Sequence, residues 1–228
     1  MSGVSCIIPA FNEGPRIGAV LRALALHPLI DEVIVVDDGS TDDTAAVAGG
    51  VAGVRLHLMA QNGGKTRALA AGIALARHDH LLLIDADLIG LAADDLTRLM
   101  VPVLHNGGDM SISLRRNAPR LWHWIGIDYI SGERLLRRDL VSNRLSDLAA
   151  LPPFGFEVWL NRLALRAGAR IVVVDWPDVD SPAKTAKRGR LAGWAADMRM
   201  MGDLFRTVPP LALLRQIIGM VRHSHRAV

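Results

Sequence analysis

Four short runs rich in Val, Ile and Leu open this chain: Val4–Ile8, Glu32–Val36, Val54–Leu58 and Leu81–Ile84. Between them lie stretches of helical periodicity, Ile17–Leu26, Thr41–Ala48 and Thr66–Ala76. Apolar runs without polar alternation are strands covered on both faces, and the intervening helices provide the cover. The alternation therefore predicts an α/β fold with a doubly wound, mainly parallel sheet. In such sheets ligands bind beyond the carboxyl ends of the strands. The loops expected there are all polar: Pro9–Gly14, Asp37–Asp43, Gln61–Thr66 and Asp85–Gly90. Ser40 or Thr41 is the expected cap of the second helix, with Asp42 and Asp43 suiting its positive end.

The fourth strand runs into Asp85-Ala86-Asp87. Two carboxylates so close repel one another unless a cation relieves them, and oxygen ligands of this kind suit Mg²⁺ or Mn²⁺ bridging a diphosphate. Two familiar nucleotide motifs are excluded. "GGKT" (Gly63–Thr66) resembles the end of a P-loop, but the first glycine that loop requires would fall at Met59. No G-x-G-x-x-G follows the first strand, which removes a dinucleotide fold.

At 228 residues the chain suffices for one well-buried domain with an appended segment. The expected division is a first half (1–113), a second half (114–190) and a C-terminal helical extension (191–228). Charge divides the same way. Residues 1–113 hold 7 Lys/Arg against 13 Asp/Glu, and residues 114–228 hold 19 against 10. An acidic first part and a basic second part imply different partners, and no recognition motif accompanies the basic part, so nucleic acid is not expected. The single cysteine, Cys6, reads as a buried structural thiol in a reducing compartment. No leader and no apolar span of membrane length is seen, so a cytoplasmic location is expected. His57, His78 and His80 lack metal-ligand spacing.

Taken together, "VSCIIPAFNE", "VIVVDDGSTDDT", "NGGKTRALAAGIALA" and "LLLIDADL", in this order and spacing, closely resemble the family-2 glycosyltransferases. The resemblance covers nearly all of residues 1–110. It implies a GT-A fold, a UDP- or GDP-sugar donor, and Mg²⁺ or Mn²⁺ as cofactor. By resemblance, Pro9, Phe11 and Glu13 line the nucleotide, Asp38 contacts base or ribose, and Lys65 lies near it. Phe11 stands where the family usually has tyrosine. Asp85 and Asp87 match the family's D-x-D, with Asp87 the direct metal ligand and Asp85 also able to reach the ribose.

On the acceptor side the resemblance is to dolichyl-phosphate mannose synthase-like members. "FGFEVWL" offers Glu157 as catalytic base, though Val158 replaces the aspartate that often follows. "ISGERLLRRD" offers Arg134 as an acceptor or diphosphate contact, and Lys184 and Lys187 are basic residues able to close over the diphosphate. Asp180 is a further metal-ligand candidate. The implied reaction is transfer of a hexose, with inversion, to an acceptor alcohol or a lipid phosphate. Two rivals stand beside it: a sugar-1-phosphate nucleotidyltransferase and a nucleotide-sugar-binding scaffold.

"LRRNAPRLWHW" reads as a loop, and helices are expected at about Leu191–Phe205 and Leu211–Val221. The latter carries Leu211, Leu214, Ile217, Ile218 and Val221 on one face, suited to a membrane interface, to the catalytic domain or to a homodimer. Trp122 and Trp124 beside basic residues also suit peripheral contact with the inner face of the cytoplasmic membrane.

Overall fold

The computed structural model describes residues 3–148, 151, 155–182 and 209–227. The first part is a run of β1 (Val4–Ala10), α1 (Gly14–Leu24), β2 (Glu32–Asp37), α2 (Thr44–Gly49), β3 (Val54–Leu58), α3 (Lys65–Leu75), β4 (His80–Leu83) and α4 (Ala93–Leu104). Next come β5 (Met110–Arg115), α5 (Arg120–Ile125), β6 (Arg134–Arg137), α6 (Asp139–Ser142), α7 (Leu145–Leu148), α8 (Gly155–Arg166) and β7 (Ile171–Trp176). The described residues close with α9 (Pro210–His223) and β8 (Ser224–Arg226).

All the strands join one sheet in the order β3-β2-β1-β4-β6-β5-β7-β8. Every pairing is parallel except those of β6, which runs against both β4 and β5. The expected doubly wound, mainly parallel α/β sheet is what forms. Residue alternation along the strands builds two cores. Ile7, Ile34, Val36, Leu81 and Leu83 face α3 and α8 on one side, and Cys6, Ile8, Val35, Leu82 and Ile84 face α1 and α4 on the other. Gly72 lets α3 lie close on the sheet, since a Cβ there would sit 2.4 Å from Ile7 Cγ2.

Two local expectations are corrected. Neither Ser40 nor Thr41 caps α2, which begins later at Thr44. Both are engaged by the loop after β1: the amide of Asn12 donates to Ser40 Oγ at 2.9 Å, and that of Thr41 to Asn12 Oδ1 at 2.8 Å. Asp42 accepts from the Thr44 amide at the start of α2 at 3.0 Å, in keeping with its expected place at that helix end, and also from the Gly14 amide at the start of α1 at 3.1 Å. Residues 120–125, read as loop, form α5, and Trp122 is buried against Tyr129 with ring centroids 6.1 Å apart, leaving only Trp124 exposed.

The expected C-terminal helix is present as α9, but it docks through Leu213, Gln216 and Met220, with the Tyr129 hydroxyl donating to Gln216 Oε1 at 2.6 Å. Leu211, Leu214, Ile218 and Val221 stay exposed. Among the described residues no helix is long and apolar enough to cross a membrane. The helix expected at 191–205 lies outside the described residues.

Candidate active site

Strand order reverses between β1 and β4, because the chain winds from β1 out to β3 and then returns to the far side of β1. Ligand clefts form beyond the carboxyl ends at such a switch point. A cleft of about 230 Å³ opens there, lined by Pro9, Ala10, Phe11, Glu13, Asp38, Lys65, Ala68, Asp85, Ala86 and Asp87. Every donor-side candidate named from the sequence meets in it.

Phe11 leaves 44% of its surface exposed at the end of β1. Glu13 is ion-paired with Arg16 one turn into α1. Asp38 is buried and both its oxygens are engaged: Gly63 N donates to Oδ1 at 2.8 Å and Gly64 N to Oδ2 at 2.7 Å. Its observed partners are thus the backbone of the Asn62–Gly64 loop, and it fixes the entry into α3. Lys65 is the first residue of that helix, and its ammonium sits 2.7 Å from Asp85 Oδ1 and 3.3 Å from Glu157 Oε1.

The two D-x-D carboxylates are electrostatically unlike. Burial works against ionising Asp85, but the Lys65 ammonium, with Arg115 beyond it, holds its carboxyl below the usual range. Among the described residues no cation sits at ion-pair distance from Asp87, and Lys65 offsets its charge only in part. Burial, then the Asp85 and Glu13 carboxylates, push it up to about 6. An under-neutralised carboxylate beside a second one is an oxygen donor set suited to a hard divalent ion. Among the described residues no group of three or more His, Cys, Asp and Glu side chains is placed to hold a metal. Mg²⁺ and Mn²⁺ are accommodated by one or two carboxylates when substrate phosphates and water complete the shell, so Asp85 and Asp87 fit such an ion.

Antiparallel β6 brings further residues to this edge that the sequence reading missed. Leu83 pairs with Arg134, so Gly132 and Glu133 arrive beside Asp85. A Cβ on Gly132 would lie 2.7 Å from Lys65 Nζ and 2.8 Å from Asp85 Oδ1. Glu133 is fully buried, accepting from Ser113 and Ser131 hydroxyls at 2.9 and 2.8 Å. Arg115, at the end of β5, lies 3.4 Å from Glu133 and 3.6 Å from Asp128. The signal available was the Ser-Gly-Glu tripeptide itself, of which only the following arginine was used.

That arginine is placed differently from expectation. Arg134 is wholly buried, its guanidinium donating to Ser131 O (2.8 Å), Tyr129 O (3.1 Å) and Asn161 Oδ1 (2.5 Å). It braces the turn before β6 from within the core, with no surface exposed to the cleft. Asp180 is likewise taken, by Arg116 and by a backbone bridge to Ile89. Lys184 and Lys187 lie outside the described residues.

The model of glycosyl transferase family 2 matches residues 5–138, from β1 through β6. The chain belongs to that family. Within it, the chain is 38% identical over 110 residues to an uncharacterized glycosyltransferase of Escherichia coli K12, covering 46% of this chain and 28% of that protein. It is 37% identical over 94 residues to dodecaprenyl-phosphate galacturonate synthase of Rhizobium johnstonii, covering 37% and 28%. The aligned part thus spans less than a third of these relatives' own length. A crystal structure of glucosyl-3-phosphoglycerate synthase from Mycobacterium tuberculosis, with Mn²⁺, UDP-glucose and phosphoglyceric acid, matches with a TM-score of 0.69 at 25% identity, over 90% of this chain and 79% of that one. The GT-A-like reading of the sheet agrees with that neighbour. The family match contains all of the cleft, and Glu157 alone among the site residues placed here falls beyond it.

In this family-2 chain the seat of Gly132 is directly testable. Gly132→Ala should lower donor turnover by about tenfold, because the new methyl displaces Lys65 and Asp85 from each other. The melting temperature should barely move, since the displaced groups border the cleft. Steady-state kinetics and thermal melts check both halves.

Proposed function

We propose that this protein is a metal-dependent hexosyltransferase that uses a UDP- or GDP-sugar and transfers with inversion to an acceptor alcohol or lipid phosphate. The observation that carries this reading is the convergence of Phe11, Lys65, Asp85 and Asp87 in one cleft at the switch point. The relatives support it: one is named for a polyprenyl-phosphate product, and the structural neighbour holds Mn²⁺ with UDP-glucose.

Asp87 and Asp85 would hold Mg²⁺ or Mn²⁺, which when bound supplies positive charge to the departing diphosphate. Pro9 and the exposed Phe11 ring offer an apolar surface to the nucleotide base. Glu13, just before α1, and Asp38, just after β2, frame the cleft. Glu157 is the proposed proton acceptor for an alcohol, at the start of α8, where the helix dipole favours its carboxylate. A phosphate acceptor needs no strong base, and there Glu157 serves to place Lys65. Arg115, on the acceptor side of Asp85, is the proposed contact for an anionic acceptor group, with Lys184 and Lys187 proposed to reach the diphosphate.

Calorimetry with UDP and GDP, with and without Mn²⁺, tests the donor site. Metal-dependent binding is expected, and metal-independent binding, or none, would sink the proposal. A screen of nucleotide sugars for hydrolysis then names the donor. Binding without turnover of any donor would leave a nucleotide-sugar-binding scaffold. Glu157→Gln with turnover equal to wild type on an identified acceptor would remove Glu157 as base.

Peripheral membrane contact belongs to the same proposal. Leu211, Leu214, Ile218 and Val221 form an exposed stripe on α9, with Arg215 and Arg222 beside it and no acidic residue in the helix. Such a face suits an anionic lipid surface on the cytoplasmic side. Leu214→Asp combined with Ile218→Asp should reduce co-sedimentation with phosphatidylglycerol vesicles by about tenfold or more. If instead light scattering shows that these changes convert a dimer to a monomer, the stripe is a subunit interface.

A further inference from the structure

We infer that Lys65 is a built-in counter-cation of Asp85, which a divalent ion must displace, and that Glu157 retains the displaced ammonium. Metal entry on the donor side thereby alters charge on the acceptor side. This rests on the metal-dependent reading of the cleft proposed above.

The position of Lys65 is the first argument. It is the first residue of α3, at the positive end of the helix, where a cation is disfavoured and an acid is the usual choice. Nothing in local helix chemistry calls for lysine there. The backbone beneath it is fixed, because Asp38 holds the amides of Gly63 and Gly64 and Gly64 takes a φ of 85°. A flexible side chain on a fixed base is thus aimed at one place.

That place is a three-sided seat. Asp85 Oδ1 lies 2.7 Å from the ammonium, Glu157 Oε1 lies 3.3 Å from it, and the bare Cα of Gly132 forms the roof. The side chain still keeps 41% of its surface open to the cleft, so the head can move. Asp85 and Glu157 come from β4 and α8, far apart in sequence, and Lys65 spans the gap between them. A monovalent and a divalent cation at contact distance from one carboxylate repel strongly. An ion seated on Asp85 and Asp87 therefore loosens Lys65 from Asp85. Glu157, at the start of its own helix, is the other carboxylate at ion-pair distance from the ammonium among the described residues.

The test is Mn²⁺ alone, without nucleotide or turnover, titrated by calorimetry or by the electron paramagnetic resonance of free Mn²⁺. Lys65→Met should bind Mn²⁺ about tenfold more tightly than wild type, since the competitor is gone. Lys65→Gln, which keeps amide donors for Asp85 and so protects the fold, should do the same. Glu157→Gln should weaken Mn²⁺ binding severalfold by leaving Lys65 wholly to Asp85, and that effect should shrink markedly in the Lys65→Met background. Unchanged or weaker Mn²⁺ affinity in both Lys65 variants, or no binding by either at millimolar Mn²⁺, overturns the inference. An additive double-mutant cycle overturns the part assigned to Glu157. The donor-site reading fails separately, on absence of metal-dependent UDP or GDP binding by the wild type.

Discussion

Asp87→Asn is expected to lower kcat/KM by about a thousandfold or more and, at the same time, to stabilise the metal-free protein at pH 7. The first half follows from removing the carboxylate best suited to a divalent ion. The second follows from the electrostatics of the cleft's own side chains. Burial and the neighbouring Asp85 and Glu13 carboxylates raise the Asp87 carboxyl to about 6, against an ordinary value of 3.8. Between those two values the native state holds a proton that the unfolded chain has lost. Stability therefore falls as pH rises through that window, and the full penalty is present above pH 6. Asparagine carries no such penalty, and the gain at pH 7 should be about 1–2 kcal/mol after allowance for solvent screening. Thermal melts of both proteins without metal, at pH 4 and pH 7, check the sign. The curves should coincide at low pH and separate at neutral pH. An Asp87→Asn protein less stable than wild type at pH 7 would contradict this account, and undiminished turnover would contradict the functional one.

Arg134→Ala should behave in the opposite way, losing the fold before the chemistry. Its guanidinium satisfies two backbone carbonyls and the Asn161 side chain in a wholly buried place. Burial disfavours its charged form, with Glu157 and Asp128 among the charges that offset this. Truncation leaves those acceptors unpaired and opens a cavity, at a cost of about 3–5 kcal/mol. The melting temperature should fall by roughly 10 °C. A residue that contacted the diphosphate from the cleft would instead leave the melt unchanged and raise KM. Chemical denaturation together with kinetics distinguishes the two.

The donor side was legible because its residues follow parallel strands, and parallel strands of one sheet must present their carboxyl ends together. Pro9, Phe11, Asp38, Lys65, Asp85 and Asp87 could be grouped from the strand pattern and the loop motifs alone. Which atoms those side chains engage was not legible. Asp38 is held by backbone amides 25 and 26 residues away, a contact set by loop geometry and not by spacing. The acceptor side was harder to read because β6 reverses direction. In an antiparallel strand the residues at its amino end reach the cleft, so Gly132 and Glu133 arrive there while Arg134 turns into the core. Arg115 is hard to read for a related reason: basic residues follow β5 at once, and Leu114–Trp124 reads as loop. In α9 the apolar residues exceed what one docking face needs, so periodicity alone could not say which would be covered.

The reversal of β6 has a consequence for how such a protein can change. Strands β5 and β6 are hydrogen-bonded neighbours, so the chain leaves the sheet after Arg115 and comes back beside the point of departure. The intervening excursion carries α5 and the exposed Trp124. Its ends are pinned by the sheet, and the donor-side loops are built without it. Trp122 and Tyr129 tie that excursion to the core and to α9, so variation is confined to its outer face around Trp124. That face can change while Gly132 and Glu133 return to the same place beside Asp85.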